Sequence, residues 1–339
     1  MAVLIFLFFL GFSLAFGNIF EHPASTPKWA FASLVLPILL IWLKPKQTTL
    51  WGICFLAWAV IFSTPEQAWR YAILAMAFAV GTAVEDYRWG AAGMALGIAV
   101  SGVILVAQHL GWDLLLAPDD PGALFFGGTF LGDAAAITAA SLIPILGWWV
   151  VPVGGVIALL SASKSGLFAL YGCTLIYTYP RKIFWVLVLL LIPLAYLGFT
   201  YTNSLQVRIP LWVNSLLLID LFGNESFRAI YPTVHDKILP TDKGIFSALV
   251  RPQTAHNDII TLLVELGPVG VFLFLGLMFQ VRHYAIWAFL LVGIFSFPLY
   301  VPIAVYVAFV AGNVSRTRPS LRLFPGEGRS RIHQGQGSG

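Results

Sequence analysis

Charge is scarce in this chain. Asp, Glu, Lys and Arg together supply 10% of its 339 residues, where a soluble globular domain carries roughly 25%. So little ionic surface excludes a monomer that lives in water. Cysteine is nearly absent: Cys54 and Cys173 both lie in apolar runs and read as packed membrane thiols rather than as a disulfide. No basic stripe with interleaved aromatics lies on a polar segment, which argues against nucleic acid as a partner. Acids such as Asp119 and Asp120 lack the His/Asp spacing that would demand a metal. The opening MAVLIFLFFLGFSLAFGNIF has no basic leader and no clear small-x-small cleavage site, so it reads as a retained span rather than a signal peptide. No inverted repeat of the transporter kind is legible.

What is present is apolar. Hydrophobic residues make up 59% of the chain and aromatics 15%. Apolar runs separated by short polar breaks predict an all-α polytopic membrane protein with about twelve spans. They fall near residues 2–19, 28–43, 50–63, 69–84, 89–110, 131–147, 149–162, 165–179, 183–200, 258–281, 284–298 and 300–314. Four regions follow: nine spans over 1–200, one large extracytoplasmic loop over 201–257, three spans over 258–314, and a basic Gly/Ser-rich tail over 315–339 that reads as disordered. Lys44, Lys46, Arg88, Arg181, Lys182 and Arg282 collect on one side together with the arginines of the tail, while the short outer connections hold only Lys28 and Arg70. By the positive-inside rule both termini are cytoplasmic, and the tail is poised to meet anionic lipid.

The loop resists that rule. It carries Arg208, Arg228, Lys237, Lys243 and Arg251 on the outer side. Long loops translocate regardless of charge, but cations gathered there also suit a task. Within the loop, LQVRIPLWVNSLLLIDLF (205–222) reads as an amphipathic interfacial helix with Trp212 at headgroup level. The stretch GNESFRAIYPTVHDKILPTDKG after it reads as turn-rich and irregular.

Three basic side chains, distant in sequence, fall at one depth on the outer face. Lys164 stands in LLSASKSGLF between two apolar runs, Arg208 begins the interfacial helix, and His256 in RPQTAHNDIITLLVELG directly precedes a span. Two permanent cations suit a diphosphate, and a histidine accepts a proton near neutral pH. Each has a plainer reading: a snorkelling helix-end lysine, an arginine on lipid phosphate, and a helix-start histidine bonded to a loop carbonyl. Asn257 and Asp258 are N-cap candidates. Glu265 reads as the one acid buried in a span, where an ionisable group is costly. It either pairs with a cation such as Arg251 or braces the loop.

HNDIITLLVELGPVGVFLFL resembles the signature of the O-antigen ligase and polymerase superfamily of membrane glycosyltransferases, in which a His-Asn pair opens a span that continues into Glu-Leu-Gly. Three more stretches resemble that family in the right order: GGTFLGDAAAITAASLIPIL (127–146), LLSASKSGLFAL (159–170) and VRIPLWVNSLLLIDLFGNESF (207–227). Together they cover roughly residues 120 to 280. The resemblance implies Arg208 and a turn arginine on the donor diphosphate and His256 as the base that activates the acceptor hydroxyl, with no metal and no cofactor. Lys164 replaces the turn arginine, keeping the charge and losing the bidentate fork; Arg251 or Arg228 could compensate. Asp133 stands where many relatives have Asn. The implied donor is an undecaprenyl-diphosphate-linked glycan. The implied acceptor is lipid A-core for a ligase or a second lipid-linked repeat for a polymerase, at the periplasmic face of a bacterial inner membrane. A flippase or transporter of the lipid-linked sugar is the rival of another class, and a receptor or structural membrane protein a third.

Overall fold

A computed structural model describes residues 1–15, 26–43, 45, 50–112, 128–179, 203–240, 254–281 and 283–316. Among the described residues there is helix and turn but no strand. The helices are α1 (Ala2–Leu14), α2 (Thr26–Leu43), α3 (Leu50–Phe62), α4 (Pro65–Ala83), α5 (Arg88–His109), α6 (Gly128–Leu146), α7 (Val150–Leu160), α8 (Lys164–Thr178), α9 (Asn203–Ser215), α10 (Phe227–Ile230), α11 (Asp258–Glu265), α12 (Gly267–Val281), α13 (Tyr284–Phe295) and α14 (Ile303–Arg316).

The described part of each apolar stretch read from the sequence is mainly helical; residues 16–19 and 183–200 lie outside the described residues. Three helical segments are long and apolar enough to cross a bilayer: Thr26–Leu43, Arg88–His109 and Thr129–Leu146. Leu34, Ile41, Trp42 and Ile61 are each more than 70% exposed. In water such a belt would be an aggregation liability; hydrocarbon accommodates it at no cost.

Helix starts follow local chemistry. Thr64, Pro65 and Gln67 open α4 as a capping box with proline in the first turn. The side chains of Ser163, Asn257 and His283 each accept a backbone N–H at the starts of α8, α11 and α13. Both cysteines are free, and the buried Cys173 thiol donates to the Tyr284 carbonyl at 3.6 Å.

Three expectations are corrected. The stretch 258–281 is two helices, broken at Leu266 and Gly267, because Gly267 takes a left-handed φ of 69°. The interfacial helix ends at Ser215 and tightens into a 3-10 turn over Leu216–Leu218, after which the chain turns through Gly223 at φ 86°. The segment beyond it also has more structure than expected, with α10 followed by a second 3-10 turn over Tyr231–Thr233.

Helix α6 is the centre. Every residue from 131 to 141 is buried, and α6 packs against α5, α7, α8 and α13. A smaller apolar cluster ties the 203–240 segment to α11 through Leu211, Phe227, Tyr231, Ala255 and Val264. This places the residues around His256 between the main bundle and the loop.

Candidate functional site

The site is built around one carboxylate. Asp133, buried on α6, accepts hydrogen bonds from three serines. Ser163 and Ser165 both donate to Oδ1 at 2.6 Å, and Ser296 donates to Oδ2 at 3.0 Å. Ser163 is also the N-cap of α8, its Oγ accepting from the Gly166 N–H at 3.0 Å. Lys164 stands between the two clamped serines and is exposed. The reversal before it runs through Ala162 at φ 53°.

Arg208 sits half-buried on α9. Its Nη1 donates to the Phe295 carbonyl at 2.5 Å. Burial lowers its pKa, and the nearby Asp133 carboxylate opposes that shift; a guanidinium stays charged regardless.

His256 has a backbone φ of 51°. This is the left-handed region, which histidine tolerates better than most residues but still at some cost. Neighbours hold it there. The Trp212 indole N–H donates to the Ala255 carbonyl at 2.8 Å, and the Ala255 N–H donates to Thr261 Oγ1 at 3.1 Å. Asn257 caps α11 by accepting from the Ile260 N–H at 3.0 Å and donates its own amide to the Ile294 carbonyl at 2.9 Å. The imidazole meets the Phe297 ring edge to face, with centroids 4.9 Å apart. Burial, and then the positive charge of Arg208, push its pKa down to about 4. At neutral pH the ring is therefore uncharged, the form that accepts a proton.

The tetrapeptide Ile294–Phe297 at the end of α13 meets four of these side chains. Ile294 receives Asn257, Phe295 receives Arg208, Ser296 binds Asp133, and Phe297 faces His256. Arg208 and His256 thus meet at one helix end, and Ser296 at that end shares the Asp133 carboxylate with the serines on either side of Lys164. Arg251, Asp119 and Asp120 lie outside the described residues.

Glu265 braces the loop. Its Oε1 accepts from the Phe227 N–H at 2.8 Å, and its Oε2 accepts from the Tyr300 hydroxyl. The Asn224 N–H donates to the Val264 carbonyl at 2.9 Å, and the Trp58 indole donates to the Leu266 carbonyl at 3.0 Å while stacking on Phe222. Gly223 fits because it has no side chain: a Cβ there would lie 2.2 Å from the Glu265 carbonyl oxygen.

The sequence offers Asp258 only as an N-cap candidate and Asp133 only as a departure from the family's Asn, and it gives Ser296 no role. Glu265 is not the only buried acid, since Asp133 and Asp258 are each 2% exposed. Asp258 accepts from the Leu299 N–H at 3.0 Å, and its other oxygen has no hydrogen-bond partner among the described residues. The legible signal was a lone carboxylate in the small-residue run GTFLGDAAAITAA, where an ionisable group is expensive without a reason. Ser296 left no such signal.

No protein-family model matches the chain, and no curated protein matches its sequence. The likeness to O-antigen ligases and polymerases therefore rests on the four motif stretches themselves.

Proposed function

We propose that the chain is a membrane glycosyltransferase of the O-antigen ligase type. It spans a bacterial inner membrane about twelve times, with both termini cytoplasmic and residues 201–257 periplasmic. It moves a glycan from undecaprenyl diphosphate to a hydroxyl of lipid A-core. The observation that carries the reading is the gathering of His256, Arg208 and the Lys164 turn around Asp133 and residues 294–297, with His256 held in a left-handed conformation.

The acceptor hydroxyl oxygen attacks the anomeric carbon of the donor sugar, and its proton passes to the neutral His256 imidazole. The bond from that carbon to the diphosphate oxygen breaks with inversion, and undecaprenyl diphosphate leaves. Its growing negative charge is met by the fixed guanidinium of Arg208 and the ammonium of Lys164, which stabilise charge that develops in the transition state. Asn257 and Trp212 hold the backbone on either side of His256, and Glu265 holds the loop. In this reading the chain's own cations fill the electrostatic role.

Purified protein given undecaprenyl-diphosphate glycan and lipid A-core should form the transferred product, and His256→Ala at equal protein level should abolish it. Undiminished transfer by His256→Ala removes the base. Product formed only when a second lipid-linked repeat replaces lipid A-core makes the protein a polymerase. A flippase is the second reading, favoured by the break at Gly267 and by buried Asp133, Asp258 and Glu265, since broken helices and buried acids mark transport paths. Movement of lipid-linked glycan across proteoliposomes without any transfer would select it. The break at Gly267 nevertheless serves the loop: a Cβ there would lie 2.3 Å from the Leu221 carbonyl oxygen.

A further inference from the structure

We propose that Asp133 is a positioning residue of this site: through Ser163 and Ser165 it fixes the turn that presents Lys164, and through Ser296 it fixes the helix end that receives Arg208. The inference rests on the diphosphate reading above and names a part of the machinery which that reading does not require. Its basis is geometric. One fully buried side chain takes three hydroxyl donors from two separate elements, the start of α8 and the end of α13. The serines it grips flank Lys164 on both sides, so the lysine backbone cannot shift along or rotate about the α8 axis without breaking one of the two 2.6 Å contacts. Ser296 is bonded directly beside Phe295, whose carbonyl receives the Arg208 guanidinium at 2.5 Å. Both cations are thereby referenced to the same carboxylate.

A hydrophobic residue of similar size would fill the space and leave three hydroxyls without their acceptor, the buried Ser163 and Ser296 and the half-buried Ser165, and unmet polar groups of that kind are costly. Asparagine is different. Its oxygen accepts from both Ser163 and Ser165, and its amide donates to Ser296, whose hydroxyl can accept. Alanine removes the clamp, whereas asparagine keeps it and removes only the charge.

The test is donor KM per folded molecule, read separately from kcat and from acceptor KM, in detergent-purified full-length protein. Asp133→Ala should raise donor KM about tenfold or more, as expected for lost hydrogen bonds to a charged group, with acceptor KM unchanged. Asp133→Asn should return donor KM to within about threefold of wild type. Ser165→Ala, which leaves Ser163 and Ser296 on the carboxylate, should raise donor KM about threefold and decides the matter if Asp133→Ala does not fold. In a Lys164→Ala background, Ser165→Ala should add nothing, because the residue it positions is gone. A purely structural role would lower the yield or melting temperature and leave donor KM alone; that result overturns the proposal, as does full additivity of Ser165→Ala with Lys164→Ala. If wild-type protein transfers no glycan and fails to bind undecaprenyl diphosphate, the functional reading itself has failed. A wild type that transfers normally beside a Ser165→Ala variant with unchanged donor KM sinks only the role of Asp133.

Discussion

Two histidines stand near opposite ends of α13, and they differ in almost every respect. His283 caps the start of that helix. Its Nδ1 accepts from the Ala285 N–H at 3.2 Å, so its proton lies on Nε2, which faces the Tyr87 hydroxyl at 3.1 Å. Tyr87 in turn donates to the Ser141 carbonyl at 3.3 Å. Its φ of −125° is ordinary extended backbone. His256 packs against the other end. It stands at φ 51°, beside a guanidinium, with its ring against Phe297. The first histidine is a joint with both ring nitrogens committed to structure. The second is held in a costly left-handed conformation by the hydrogen bonds on Ala255 and Asn257 to either side of it, a pattern found where geometry serves chemistry.

The most severe way to break that comparison is to delete each ring. His256→Ala should cut transfer about 10²–10⁴-fold, the usual scale of a lost general base, with the melting temperature nearly unchanged. His283→Ala should do the reverse, costing about 1 kcal/mol of stability through the lost cap and leaving turnover per folded molecule within about threefold of wild type. Kinetics and thermal unfolding of both variants decide it; equal effects on turnover would erase the distinction.

Next in size is the brace behind His256. Gly223→Ala forces a Cβ into the Glu265 carbonyl oxygen from a left-handed backbone. It should destabilise by roughly 3 kcal/mol and expose the loop to limited proteolysis before the bundle. Protease resistance equal to wild type would show that the loop does not depend on this packing.

The smallest effect sharpens the electrostatics. His256 has a pKa of about 4 in the free protein, below the ordinary value near 6.5. Its neutral, proton-accepting form therefore persists as pH falls from 7 to about 5, and kcat/KM should decline only toward pH 4. Bound diphosphate brings negative charge that favours the imidazolium, so the acid limb of kcat should lie at higher pH than that of kcat/KM. Arg208→Gln removes a cation and should raise the His256 pKa, which NMR of labelled histidine can follow even if turnover is lost. A limb near 6.5 in the free wild type would contradict the burial seen here.

The helices were legible because their apolar runs are long and their breaks are polar: α2, α5 and α6 lie within three residues of their sequence-read bounds. The interruption at Gly267 carried a signal that the apolar runs on either side outweighed: Gly267 and Pro268 form a Gly-Pro pair of the kind that marks a break, and the Leu221 and Asp220 carbonyls packed against Gly267 leave no room for a side chain at the left-handed turn. At the site, His256, Asn257, Arg208 and Lys164 stood out as polar residues at the rims of apolar runs. Asp133 was visible but passed over as an imperfect motif match. Ser296 was out of reach, since a serine before Phe-Pro looks like any helix ending and acquires meaning only from a carboxylate 163 positions away.

Helix α13 has a geometric consequence. Its 12 residues rise about 18 Å at 1.5 Å per residue, against a hydrocarbon layer of about 30 Å. If α13 crosses the bilayer, His283 and His256 cannot both reach the headgroups unless the lipid thins around it. Under the proposed function, the groups around His256 would then sit below the surrounding headgroup plane, and a lipid-borne phosphate would have to descend to meet them.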